Sequence, residues 1–72
     1  IIAYERKNED RSIITVINNS FNDYKDIEFL TDYPGERFLD LISEKFVKVS
    51  MNGKINISLK AKQGVILKRW NY

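Results

Sequence analysis

Hydrophobic and polar positions alternate one by one through Gly53-Lys54-Ile55-Asn56-Ile57-Ser58-Leu59-Lys60-Ala61. Ile55, Ile57 and Leu59 fall on one side of an extended chain, and Lys54, Asn56, Ser58 and Lys60 on the other. The run therefore predicts a half-buried β-strand. Asn52-Gly53 stands before it, a pair suited to the positive-φ positions of a tight hairpin turn. Gln63-Gly64 follows, and Val65 to Leu67 opens a second apolar run, so the last third reads as consecutive antiparallel strands. Near the start, Ile2 and Tyr4 alternate with Ala3 and Glu5 in a short first strand, and Arg6 to Asp10 has the composition of a turn. Ser12 to Asn18 contains Ile13, Ile14, Thr15, Val16 and Ile17, the densest β-branched run in the chain. Its lack of polar alternation predicts a central strand covered on both faces.

Asn18-Asn19-Ser20 breaks that run, and Asn22-Asp23 continues the turn-forming stretch around Phe21. Lys25 to Leu30 alternates weakly, with Ile27 and Phe29 on one face. Thr31 to Glu36 is a loop built on Pro34-Gly35, where proline fixes φ and glycine permits a positive one. Phe38, Leu39, Leu41 and Ile42 would also fit a helical stripe. Phe46-Val47-Lys48-Val49 follows too closely to leave room for a helix of ordinary length. Phe38 to Ile42 is read as a short strand, with a turn near Glu44 and a further strand from Phe46 to Ser50. Lys54 to Lys60 and Val65 to Trp70 complete the series. The expected fold is all-β: a small antiparallel β-sandwich of about seven to eight short strands, Greek-key-like, with a small barrel as the alternative. Tyr4, Phe29, Phe38 and Phe46 lie in apolar strand phases and are expected in the core.

Length limits what such a fold can hold. Seventy-two residues make one domain, and a domain of this size buries only about 60% of the surface its unfolded chain exposes. There is no cysteine, hence no disulfide and no thiolate chemistry. With 43% apolar residues the composition is globular rather than disordered, and the apolar runs are too short for a membrane-spanning helix. The chain opens on Ile1-Ile2-Ala3, without an initiator Met or a charged-then-greasy leader, and its first residues already read as a strand. It is expected to be a piece of a larger protein. Twelve basic and ten acidic residues leave a net charge of +2, with the basic ones spread along the chain. A nucleic acid is therefore not an expected partner, and with apolar runs this short a membrane is not one either.

Candidate chemistry is sparse. Histidine is absent, which removes the commonest general base near neutral pH and the commonest nitrogen ligand for metals. Gly35, Gly53 and Gly64 are isolated and form no phosphate-binding loop. Asp32 and Glu36 flank the Pro34-Gly35 turn. They are the one carboxylate pair that could approach across a loop, although glycoside chemistry also needs a cleft between the two. The plainer reading is a pair of solvated loop charges. Asp23, Asp26 and Glu28 lack the ligand spacing and central glycine of a calcium loop. No catalytic residue, cofactor site or metal site is assigned. Tyr33 beside its turn, with Trp70 and Tyr72 at the C-terminal end, are the candidates for contact with a sugar or a neighbouring domain. Packing is the plainer reading of Trp70.

The order of these features resembles the C-terminal β-sandwich domain that follows the catalytic (β/α) barrel in α-amylase-family glycoside hydrolases. The likeness is greatest to the neopullulanase, cyclomaltodextrinase and maltogenic-amylase type. It rests on Tyr4-Glu5-Arg6, Ile13-Ile14-Thr15-Val16-Ile17-Asn18-Asn19, Phe38-Leu39-Asp40-Leu41-Ile42, Asn52-Gly53-Lys54-Ile55-Asn56-Ile57-Ser58-Leu59 and Gly64-Val65-Ile66-Leu67-Lys68. The last two resemble the family's closing hairpin. Phe38 stands where the family often has tyrosine, and Ile42 where it has a second leucine; both changes conserve volume. The resemblance implies a parent that hydrolyses α-glucosidic bonds of starch-derived oligosaccharides through carboxylates at the ends of barrel strands. None of those carboxylates is in this chain. The implied role is a packing and stabilising module against the barrel, with α-glucan contact as the alternative.

Overall fold

The structure is a computed structural model and describes residues 1–9 and 11–70. Seven strands form: β1 (Ile2–Asn8), β2 (Arg11–Ile17), β3 (Tyr24–Leu30), β4 (Arg37–Asp40), β5 (Phe46–Lys48), β6 (Lys54–Leu59) and β7 (Gly64–Arg69). They make two antiparallel sheets, one of five strands in the order β1-β2-β7-β4-β5 and one of two, β3-β6. The expected all-β sandwich is the fold. The chain crosses between sheets after β2, β3, β5 and β6, and β7 slots between β2 and β4.

The core is the layer between the sheets. Ile14 and Val16 of β2, Phe38 of β4 and Leu67 of β7 meet Ile55, Ile57 and Leu59 of β6, with Val49 beside them. Ile27 and Phe29 of β3, Val47, Val65 and Tyr33 pack around this cluster. In β6 the burial pattern alternates residue by residue, as its sequence dictates.

Two turn glycines fit the backbone they sit in. Gly35 has φ 76° and Gly53 φ 84°. At Gly53 a Cβ would also come within 2.9 Å of the Thr31 carbonyl oxygen, so strain and a backbone clash both act against a side chain. Glu44, at φ 61°, marks the expected turn between β4 and β5. Asp40 stabilises that turn: its buried carboxylate accepts the Ile42 N–H at 3.0 Å and the Ser43 hydroxyl at 2.7 Å.

Several expectations need correction. Asn52-Gly53 and Gln63-Gly64 do not join paired strands, since β6 pairs with β3 while β5 and β7 belong to the larger sheet. Both turns are corners between layers. Alternation reveals which side of a strand is apolar, but not which strand lies next to it. The polar stretch Arg6 to Asn8 is strand rather than turn, because its ladder with β2 continues to the Asn8–Arg11 pair. β1 lies at the sheet edge, where polar side chains on both faces meet water. Phe38 and Phe29 pack in or against the core, but Tyr4 and Phe46 are 51% and 49% exposed. Their strand phase points away from the second sheet. For the same reason β2 is central yet covered on one face only: Ile13 and Ile17 are exposed while Ile14 and Val16 are buried.

Candidate functional site: the outward face of the larger sheet

Register fixes which residues share that outward face. Ile2 pairs with Ile17, Tyr4 with Thr15 and Arg6 with Ile13. Ile13 pairs in turn with Lys68, and Thr15 with Ile66. Leu39 pairs with Lys68 on one side and Phe46 on the other. Partners across an antiparallel ladder lie on the same face. Ile2, Ile13, Ile17 and Ile66 therefore share one apolar surface over β1, β2 and β7, and Leu39 and Phe46 extend it over β4 and β5 on the far side of Lys68. The smaller sheet is more polar: its outward positions include Glu28, Lys54, Asn56 and Ser58, with exposed Leu30 opposite Lys54.

At the β4–β5 edge the apolar surface ends in a stack. Trp70 rests edge-on against Phe46, with ring centroids 5.8 Å apart and planes at 72°. The Arg37 guanidinium lies 4.4 Å from the Phe46 ring centroid, a cation–π distance. An open hollow of about 670 Å³ lies here, lined by Gly35, Glu36, Arg37, Phe46, Lys48 and Trp70, with Arg69. Trp70 is half-buried. Its position follows from the strand: the Trp70 N–H donates to the Arg37 carbonyl at 3.0 Å, continuing the β7–β4 ladder one step.

Tyr33 belongs elsewhere. Its ring sits 6.1 Å from buried Phe38, on the inner side of the sheet. The Arg69 guanidinium lies 4.0 Å from the Tyr33 centroid, and the Lys7 ammonium 5.5 Å from it. The structure thus does not join Tyr33 and Trp70 into one platform, and Tyr72 lies outside the described residues. Asp32 and Glu36 are also kept apart in role. Asp32 accepts a hydrogen bond from Lys7, and Glu36 receives Arg69 in a two-pronged ion pair at 2.8 and 3.1 Å. Each carboxylate is matched by a cation from another strand, an arrangement suited to tying the loop down.

The hydrogen bond to Asp32 holds the Lys7 ammonium above the ordinary lysine pKa. A raised lysine pKa contributes stability that is in place below the unfolded value and is lost only as pH rises through the folded one, in the alkaline range. This tie is structural and makes no proton donor near neutrality. Among the described residues no cluster of three His, Cys, Asp or Glu could hold a metal ion.

The fold and this face define a small all-β sandwich with one apolar side left uncovered among the described residues. The chain is similar to part of the crystal structure of an Anoxybacillus α-amylase, a structure described as giving insight into a new glycosyl hydrolase subclass, at a TM-score of 0.78 and 21% identity. The match covers 97% of this chain and 15% of that one. At that identity the likeness establishes the fold. No protein-family model matches the chain, and no curated protein matches it.

An exposed apolar face is what a packing module requires; which six residues make it was not legible in the sequence. The face itself left a signal in the non-alternating Ile13 to Ile17 and Val65 to Leu67 runs, which describe strands apolar on both faces.

Proposed function

We propose that this chain is a non-catalytic, C-terminal domain of an α-glucan-hydrolysing glycoside hydrolase, and that its five-stranded sheet packs against the catalytic (β/α) barrel of the parent chain. The neopullulanase, cyclomaltodextrinase or maltogenic-amylase type is the parent that the sequence resemblance favours. One observation carries the reading: a sheet face with Ile13 and Ile17 at 39% and 38% exposure, and with Ile2, Tyr4 and Phe46 near half exposed. Exposed apolar surface of this extent marks an interaction site. A likeness confined to 15% of an α-amylase chain supports a domain rather than a whole enzyme.

A paired substitution tests this directly. Ile13→Ser with Ile66→Ser is expected to move the unfolding midpoint of the isolated 72-residue chain by only a few degrees. In the parent protein the same pair removes buried contacts worth about 2–4 kcal/mol and lowers the inactivation temperature clearly. An unchanged parent would overturn the packing reading. So would hydrolysis of maltooligosaccharides by the isolated chain.

Carbohydrate contact through the Trp70, Phe46 and Arg37 stack is the second reading, favoured by the open hollow beside those side chains. Titration of the isolated chain with maltooligosaccharides distinguishes the two. Under the packing reading the Trp70 signals do not move at millimolar sugar; saturable shifts confined to this stack would establish binding.

A further inference from the structure

The outward face is apolar toward its Ile2, Ile17 and Ile66 end; its other end is charged, with Lys68 on the middle strand between Ile13 and Leu39, and among the described residues that charge has one sign. Every charged side chain in the outward phase of the five strands is basic: Arg6, Arg11, Arg37, Lys48 and Lys68. The carboxylates of this sheet are elsewhere. Glu5 and Asp40 share the inward phase, and Glu9 and Glu44 lie in turns. Net charge gives no hint of this, because +2 averages over the whole chain.

Two of the cations share a hollow. Arg11, Ile13, Leu41, Lys68 and Trp70 are among the residues lining an open space of about 560 Å³. Lys68 pairs directly with Ile13, and Arg11 is one step further along the same face. Among the described residues neither Arg11 nor Lys68 has a carboxylate partner, whereas Lys7, Lys54 and Arg69 each do. Two like charges over an apolar floor repel each other, and more strongly once water is displaced by whatever covers the sheet. A covering surface that supplied only apolar groups would bury both cations unmatched. One that supplied a carboxylate would satisfy both.

We infer, on the footing of the packing reading above, that the surface of the parent chain covering this sheet is apolar with an acidic rim, and that one of its carboxylates enters the hollow between Arg11 and Lys68. A second copy of the chain is disfavoured as the occupant, since an isologous contact would bring two all-basic faces together. The same arithmetic disfavours a purely apolar partner. An anionic lipid surface meets the charge requirement, but a partner in the same chain is present at an effective concentration of millimolar order.

The test reverses the charges in the parent protein with Arg11→Glu and Lys68→Glu together, and uses Lys60→Glu, on an exposed position beyond β6, as the control. At 20 mM NaCl the double reversal is expected to shorten the thermal-inactivation half-life of the parent at least tenfold. At 500 mM NaCl the gap narrows, because screening shortens the reach of the charges. The control matches wild type, and the double reversal leaves the unfolding midpoint of the isolated chain within a few degrees. An unchanged half-life at 20 mM NaCl would overturn the acidic-rim inference alone, leaving the Ile13 and Ile66 result to judge the packing reading. Cosedimentation of the parent with phosphatidylglycerol vesicles, abolished by the double reversal, would also overturn it and identify lipid as the occupant.

Discussion

An Ile57→Asp chain is expected to be unfolded, or nearly so, in dilute buffer at room temperature. Ile57 is buried in β6, pairs across the ladder with Ile27, and packs in the cluster with Ile55 and Leu59. A carboxylate there has no cation within the core and loses its water. Burying a charge without a partner is among the costliest single changes, and removing the isoleucine side chain adds roughly 2–5 kcal/mol. A chain of 72 residues has a total stability of only about 4–11 kcal/mol at the usual 0.05–0.15 per residue. Ser58→Asp is the matched comparison. Ser58 is exposed and its hydroxyl accepts the Asp26 N–H at 3.2 Å, a role a carboxylate can keep. Its urea midpoint is expected close to wild type. Equal damage at the two adjacent positions would mean that the inward phase of β6 is wrongly assigned.

Asn18→Asp should be nearly as damaging, for a different reason. Asn18 follows β2 and is fully buried. Its amide nitrogen donates to the Asn22 carbonyl at 2.7 Å and the Lys60 carbonyl at 3.0 Å. Its amide oxygen accepts the Ser20 N–H at 3.1 Å and hydroxyl at 2.7 Å. One side chain thus joins the β2–β3 connection to the β6–β7 corner. Aspartate keeps the acceptor but turns both donor contacts into carboxylate facing carbonyl, at a cost of about 3 kcal/mol or more. The sign of its pH dependence is diagnostic. The charged form is disfavoured in the fold, so the new carboxyl has a raised folded pKa, and the variant regains stability as pH falls toward 4. Urea midpoints at pH 7 and pH 4 check this. A variant whose deficit is the same at both would show that the site is hydrated.

These two residues also mark how far the sequence could be read. The phase of β6 was legible because each buried isoleucine or leucine is bounded by polar neighbours, and only one assignment of inside and outside is possible. The Pro34-Gly35 loop was legible from turn chemistry, and the Glu44 turn from the short spacing between two apolar runs. Asn18 looked only like a strand breaker, because the carbonyls it satisfies come from Asn22 and from Lys60, forty-two residues away. Sheet membership was hidden for the same reason: which strands pair is decided by packing between distant segments, so two corners were read as hairpins. The candidate face was half legible. Ile13 to Ile17 announced a strand with two apolar sides, but among the described residues only one of them has a cover. Tyr4 and Phe46 were assigned inward because an apolar phase usually means the core, and here the apolar phase includes both sides of the sheet. The one-signed charge of that face was invisible until register placed Arg11 and Lys68 together.

The most direct measurement is hydroxyl-radical footprinting of the isolated chain and of the parent protein side by side. Tyr4, Leu41 and Phe46 are about half exposed on the outward face, while Phe21, Leu30 and Met51 are 86%, 71% and 83% exposed elsewhere. The expected result is strong labelling of all six in the isolated chain, and protection of Tyr4, Leu41 and Phe46 alone in the parent. Labelling of Tyr4 and Phe46 in the parent at the rate seen in the isolated chain would mean that nothing covers the sheet, and the proposed role would be contradicted.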